Sequence, residues 1–441
     1  MHLHEGVTVK QHLRLLPIVL LVVCASMLQA DVILVPSQQP TIQAGINAAS
    51  EGDTVLVAPG VYYENVAFTS DGITLLSQII HSATIDGGGD GHVVALNNHS
   101  GIVDGFVITG SGSGYYRGVF TSHSTQIIRN NIISGNNGGV RISSGSIAEI
   151  NGNRITNNNN GIQVMTSASA LIVNNDIYGN TTGVECWTPG PVQLVNNTIV
   201  NHALCSVIFR GTTATVTNNI ITNSQYGIWF YGYYDPDITG YVGQFLTISY
   251  NDIWENSVYN YYAYLETWPY YISGPFDPLP GAGEIHADPH FVLPDNNEWR
   301  LFWSSPCIDT GDPDSLDADG TRSDMGAHYF NQLDYLTLYV TPDVDELPPG
   351  GQLGVTYTAI NRWEQPEPFW VLSQVTLPGG NTGDVVGPFQ YNMSADTTVQ
   401  VSLIHDIPVN APTGMYEYWS RIGIPPSTLY DEDSFKFHVK E

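Results

Sequence analysis

One interval governs this chain. A short motif recurs as Asn130-Asn131-Ile132-Ile133, Gly152-Asn153-Arg154-Ile155, Asn174-Asn175-Asp176-Ile177, Asn196-Asn197-Thr198-Ile199 and Asn218-Asn219-Ile220-Ile221. Its second asparagine falls at 131, 153, 175, 197 and 219, a constant spacing of 22 residues. A further copy, Asn251-Asp252-Ile253, follows after 32, so the preceding unit carries a ten-residue insertion. Other positions keep the period. Ile128, Ile150, Ile172, Leu194 and Val216 form an apolar column that Ile248 continues, and Ile133, Ile155, Ile177, Ile199, Ile221 and Ile253 form another. Gly139, Gly161, Gly183 and Gly227 each open a strand, with Cys205 in the glycine's place in one copy.

A repeat this short cannot bury its apolar face alone, so units must stack. Coils of short strands stacked about 4.8 Å apart place residues one period apart above one another. The apolar columns then fill the interior, and stacked asparagines hydrogen-bond amide to amide, a structural task. The leucine pattern of a leucine-rich repeat is absent. The fold expected is all-β: a right-handed parallel β-helix of about 22 residues per coil. Charged residues make up only 12% of the chain beside 44 Gly and 25 Tyr, which suits turns and strands over helices.

The flanks divide the rest. Lys10 and Arg14 precede an apolar run from Leu15 to Leu28 and a small residue, Ala30, before Asp31. This reads as a secretory signal peptide over 1–30. Pro40 to Ala49 has helical spacing with Thr41 as N-cap, suited to covering the first coil. Gly52-Asp53-Thr54-Val55-Leu56-Val57-Ala58-Pro59-Gly60-Val61-Tyr62 then turns into strand. This passage resembles the opening of the pectin-lyase-like superfamily of parallel β-helix proteins, and the resemblance covers roughly residues 31–330. It implies a secreted, extracellular or cell-surface location, and often polysaccharide binding or cleavage; the fold alone sets no activity. His286-Ala287-Asp288-Pro289, Ser305-Pro306-Cys307-Ile308-Asp309 and the stretch Asp317 to Ala327 resemble the closing segment of secreted bacterial chains of this kind. From 335 to 441 the asparagine repeat gives way to alternating strands punctuated by Pro and Gly, as expected of an immunoglobulin-like β-sandwich.

Charge narrows the partners. The formal charge is −29, and the first 30 residues contribute +1. Such a surface repels nucleic acid and anionic lipid and attracts cations. No segment beyond the signal is long and apolar enough to span a membrane. Cys186, Cys205 and Cys307 remain after cleavage, an odd count without paired spacing, and are expected to be buried thiols.

Side chains alternate in and out along the strand that opens at the periodic glycine. Val140/Ile142, Ile162/Val164, Val184/Cys186, Ser206/Ile208 and Ile228/Phe230 are expected inside. The outward columns are then Arg141, Gln163, Glu185, Val207, Trp229 and Ser143, Met165, Trp187, Phe209, Tyr231, extended one coil back by Phe120 and Ser122. Aromatic faces stack on sugar rings while polar groups bond hydroxyls. The expected partner is therefore a polysaccharide or surface glycan, held by Arg141, Gln163, Glu185, Trp187, Phe209, Trp229 and Tyr231. Tyr115, Tyr116 and the Tyr-rich insertion after Tyr231 are candidate groove walls; the alternative is a loop that turns the stripe into a secondary core. Enzymatic alternatives are a polysaccharide lyase or a glycoside hydrolase, and a structural adhesin is the third reading. A lyase of this fold needs cations and a basic residue, yet residues 31–330 contain no Lys. A hydrolase needs two carboxylates, roughly 5–9.5 Å apart. The candidates for such chemistry are Glu185, Arg141, Asp235 and Asp237. Asp312, Asp314, Asp317, Asp319 and Asp324 crowd around Gly320, a pattern open to Ca²⁺ or to Asx turns.

Overall fold

A computed structural model describes residues 30–233, 246–267, 270–275, 281–333 and 335–440. Residues 1–29, expected to belong to a signal peptide, the tip of the insertion, and with it Asp235 and Asp237, lie outside the described residues.

Each coil contributes a strand to each of three sheets. The coil at 125–143 supplies Thr125–Arg129 to the first, Ile132–Ser134 to the second and Gly138–Ser143 to the third. Every solenoid pairing is parallel until the last hairpin, Tyr259–Thr267 with Tyr270–Pro275, closes the third sheet antiparallel. The register reproduces the sequence columns: Ile128 pairs Ile150, Ile172 pairs Leu194, and Ile155, Ile177, Ile199 and Ile221 stack in order. These side chains are fully buried. Each contributes roughly 1.5–3 kcal/mol of apolar burial.

Two ladders of polar side chains line the turns. In the first, Asn131, Asn153, Asn175, Asn197, Asn219 and Asn251 run in register. From Asn153 onward each side-chain oxygen accepts the backbone N–H and an amide N–H of the preceding asparagine at 2.9–3.1 Å, and Asn131 Oδ1 accepts the Phe106 N–H. The residue before each ladder asparagine sits at positive φ, as at Asn130 (54°) and Asn174 (55°), a region where asparagine is at ease. The second ladder, Asn136, Asn158, Asn180, His202, Ser224 and Asn256, occupies the next corner. Sequence periodicity did not expose it because His202 and Ser224 interrupt the asparagines. Chemistry is conserved where identity is not: His202 Nδ1 accepts the Asn180 amide, so its Nε2–H donates to the Ile177 carbonyl. Burial pushes the His202 imidazole down to about 4, and the ring is neutral. The glycines that open the third-sheet strands answer to a close approach: a Cβ on Gly161 would lie 2.5 Å from the Gly183 carbonyl oxygen.

The helix Ile42–Ala48, capped by the Thr41 hydroxyl, buries Ile42 and Ile46 over the first coil as expected. The segment after the last coil does more than close the end. Ile285 bridges Asp252, and the chain then returns along the outer face of the second sheet. There Tyr178, Val200 and Ile220 join Phe291, Trp299, Leu301, Cys307 and Met325 in a separate buried cluster. His328 pairs with Asp176, and the Gly326 amide donates to the Asn218 carbonyl. That face of the solenoid is therefore covered. Beyond it, strands from Leu336 onward form a three-stranded and a five-stranded sheet around one core, a β-sandwich. Cys186, Cys205 and Cys307 are buried free thiols, and burial pushes each of them up.

Candidate functional site

The outward face of the third sheet is built by the alternation of the strands Val119–Ser122, Gly138–Ser143, Asn160–Met165, Thr182–Trp187, Cys205–Arg210, Tyr226–Tyr233 and Tyr259–Thr267. Register aligns Phe120, Arg141, Gln163, Glu185, Ile208, Trp229 and Tyr262 in one column. The neighbouring column contains Met165 beside Trp187, and Arg210, Tyr231 and Tyr264 in sequence.

This corrects the expectation for one strand. Phe209 is fully buried and pairs with Cys186 and Phe230; Val207 is inside as well, while Ile208 takes the outward column. The ladder spacing stays at 22, but Val184 pairs with Val207, 23 residues on, and Val207 with Ile228, 21 on. One extra residue in the turn before Cys205 flips the strand's alternation, since a one-residue slip exchanges the two faces. Ser206, not Cys205, then stacks beside Gly183. The exchange removes an aromatic ring from the face and supplies Arg210.

A continuous polar chain crosses the face. Arg117, buried, donates from Nε and Nη2 to Gln163 Oε1 at 3.0 and 2.9 Å, and from Nη1 to the Gly114 and Tyr116 carbonyls. Its stem passes over Gly138, where a Cβ would lie 2.4 Å from Arg117 Cδ. Gln163 Nε2 donates to Glu185 Oε2 at 2.9 Å, and Arg210 Nε donates to Glu185 Oε1 at 3.2 Å. Glu185 is therefore a bridged carboxylate, and no other acid stands in these two columns. Arg141 differs from its neighbours: its guanidinium lies 4.6 Å from the Tyr115 ring centre, its Nε has no hydrogen-bond partner, and among the described residues no carboxylate pairs with it.

Aromatic rings flank the chain at both ends. His92 stacks on Phe120 at 4.3 Å and meets Tyr115 and Tyr116 edge-on. Its Nδ1 accepts the Arg117 amide, and burial, then Arg117 and Arg141, push it down to about 4. At the far end Tyr226, Trp229 and Tyr262 form a cluster with ring separations of 4.8–5.2 Å, and Tyr231 stacks on Tyr264 at 4.6 Å. Trp187 is 61% exposed, and the Arg210 guanidinium lies over both its ring and that of Tyr231. Arg141, Gln163, Glu185, Trp187, Trp229 and Tyr231 thus share one face. Sequence reasoning missed His92, Arg117, Arg210, Tyr262 and Tyr264. The alternation Tyr262-Ala263-Tyr264 was a legible strand signal; the position of Arg210 was hidden by the slip.

The acidic cap is a knot of turns. Asp312 accepts the Asp314 amide; Asp319 accepts the amides of Thr321 and Gln332; Asp317 accepts that of Asp324; Asp324 accepts those of Asp309 and Phe330. Carboxylates turned to backbone donors do not converge, and among the described residues no group of three or more His, Cys, Asp or Glu side chains is placed to hold a metal ion. Burial pushes Asp324 up to about 7.

Comparison with known proteins agrees with the architecture. Residues 42–177 and 92–242 match the family model described as right handed beta helix region. The chain is a right-handed parallel β-helix repeat protein. It fits the pectin-lyase-like superfamily. No curated protein matches it. Among solved structures, the Dettilon tailspike protein (gp208) aligns over 85% of this chain and 94% of its own, at 10% identity and a TM-score of 0.28. The sporulation control protein Spo0M from Bacillus subtilis aligns over 24% of this chain and 50% of its own, at 10% identity and a TM-score of 0.18. The Pseudomonas fluorescens alkylpurine DNA glycosylase AlkC, bound to DNA containing an abasic site analog, aligns over 25% of this chain and 32% of its own, at 12% identity and a TM-score of 0.20. This chain thus spans a third of the glycosylase and half of Spo0M, and scores this low carry no argument about function. Among the described residues no helix is long and apolar enough to cross a membrane.

Proposed function

We propose that the protein is secreted or held at the cell surface and binds a polysaccharide or surface glycan along the outward face of the third sheet. One observation carries the reading: an exposed Trp187 lies across Arg210 from the stacked pair Tyr231 and Tyr264, on the same face as the polar chain Arg117–Gln163–Glu185–Arg210. Rings offer stacking planes, and the amide and guanidinium groups offer donors to hydroxyls. Exposed apolar surface in a line, rimmed by polar groups, marks a binding site. Arg141, without a carboxylate partner, favours a glycan bearing an acidic substituent.

Binding is better supported than turnover. Hydrolysis needs a pair of carboxylates, one of them free to exchange a proton. The two outward columns hold Glu185 alone, and Gln163 and Arg210 occupy both of its oxygens. A glycan-array screen with the chain from residue 31 onward tests the reading, with a parallel assay for new reducing or unsaturated ends. Retention of acidic glycans without turnover is expected. Turnover would replace the binding reading with the enzymatic alternative, and no retention of any glycan would leave a structural role.

A further inference from the structure

The sandwich closes differently along its two sides. On one side the edge strand Leu336–Pro342 is stoppered: its Leu338 and Val340 amides donate to the Asp431 and Asp433 carboxylates of the facing sheet at 2.7 and 2.8 Å. On the other side lie two edge strands consecutive in the chain, Thr382–Met393 of the five-stranded sheet and Thr397–Asp406 of the three-stranded sheet. Val401 stands opposite Tyr357, Phe389 opposite Val371 and Tyr391 opposite Phe369. Those three partners are buried in the core, and directly opposed residues share a face. Val401, Phe389 and Tyr391, with Val399 two residues before Val401, therefore point toward the core side. Yet all four are 46–56% exposed. The core is uncovered along this edge.

The two edge strands are not equally protected. Thr382–Met393 contains Gly387 and Pro388, and its register slips beside Ser373, which interrupts pairing along its edge. Thr397–Asp406 (Thr-Thr-Val-Gln-Val-Ser-Leu-Ile-His-Asp) runs ten residues without Pro, Gly, Lys, Arg or a register shift. None of the usual devices that keep a free edge from pairing is present, and Ile404 within the strand is 69% exposed.

We infer that this edge seats a second copy of the chain, through antiparallel pairing of Thr397–Asp406 with its own counterpart about a two-fold axis. Charge selects the occupant. A formal charge of −29 sets copies against each other over most of their surface. This strand carries one acid, Asp406, at its end, and antiparallel self-pairing centred on Ser402, which keeps each face with its own kind, sets that end against Thr398 of the other copy. A cationic partner finds a single acid on this strand to attract it. Pairing would join two three-stranded sheets into one of six strands and cover the four half-exposed side chains on each copy, a closed isologous contact. The inference stands independently of the glycan reading.

Sedimentation velocity and light scattering of the full chain over a concentration series test it. The wild type is expected at twice the chain mass, and Val401→Lys and Ile404→Lys to weaken the dimer at least tenfold. Ile404 stands opposite Gly354, on the side away from the core, so Ile404→Lys spares the fold and decides the matter if Val401→Lys unfolds. A wild type that is monomeric throughout the series, or a dimer indifferent to the substitutions, overturns the inference.

Discussion

Replacing Asn175 with alanine tests the solenoid at its most demanding point. The side chain is fully buried. Its Nδ2 donates to the Ile150 and Val173 carbonyls at 2.8 and 2.9 Å and to Asn197 Oδ1 at 3.0 Å, and its Oδ1 accepts the Asn153 backbone N–H at 2.9 Å. Asn197 Oδ1 keeps a second donor, the Asn175 backbone N–H, after truncation. The Asn153 N–H loses its side-chain acceptor, and the two carbonyls lose a donor, in a dry interior. At about 1–3 kcal/mol for each buried group left unsatisfied, two or three such groups make the cost about 2–9 kcal/mol. Asn159, 16 residues earlier and exposed, is the control; Asn159→Ala should stay within about 0.5 kcal/mol. Urea unfolding followed by circular dichroism measures both. If Asn175→Ala unfolds at the same urea concentration as Asn159→Ala, the ladder does not hold the coils together and the reasoning fails.

Other outcomes follow from the same geometry. His202 is neutral in the ladder at about 4 against an ordinary 6.5, so the unfolded chain binds the proton first and stability falls as pH drops from 6.5 toward 4. The shift corresponds to about 3 kcal/mol, and His202→Asn, which preserves a ladder amide, should remove that share of the acid sensitivity; denaturation curves for the two proteins that stay parallel from pH 7 to pH 4 would refute it. Phe209→Ala should destabilise by about 3–5 kcal/mol because the ring is inside, whereas Arg210→Ala should cost under about 1 kcal/mol and weaken glycan binding instead. Equal melting temperatures for the two variants would place the register elsewhere.

How much of this was legible beforehand depends on which residues are asked. The coil was readable because Asn131, Asn153, Asn175, Asn197 and Asn219 keep one interval, and apolar columns at that interval permit a single stacking direction. The helical cap was readable from Thr41 and the spacing of Ile42 and Ile46. The face was readable for Trp187 and Glu185 but not for Phe209, because period alone cannot reveal compensating spacings of 23 and 21. The second ladder was hidden by unlike residues sharing one hydrogen-bonding task. The course of residues 285–330 along the second sheet was hidden for another reason: it depends on contacts such as His328 with Asp176, 152 residues apart, which no local pattern carries. The acidic cap left two readings open because Asx turns and cation sites draw on the same residue type.

The central claim is that the third sheet presents a glycan platform, and among the described residues Trp187 is its most exposed large ring. Calorimetric titration of an array-selected acidic glycan into wild type and Trp187→Ala, each with a thermal melt, tests it most directly. Removing an exposed ring opens no cavity, so the melting temperature should hold while affinity falls at least about tenfold, or 1.4 kcal/mol. Unchanged affinity in Trp187→Ala, with Arg141→Ala equally unaffected, would contradict the claim.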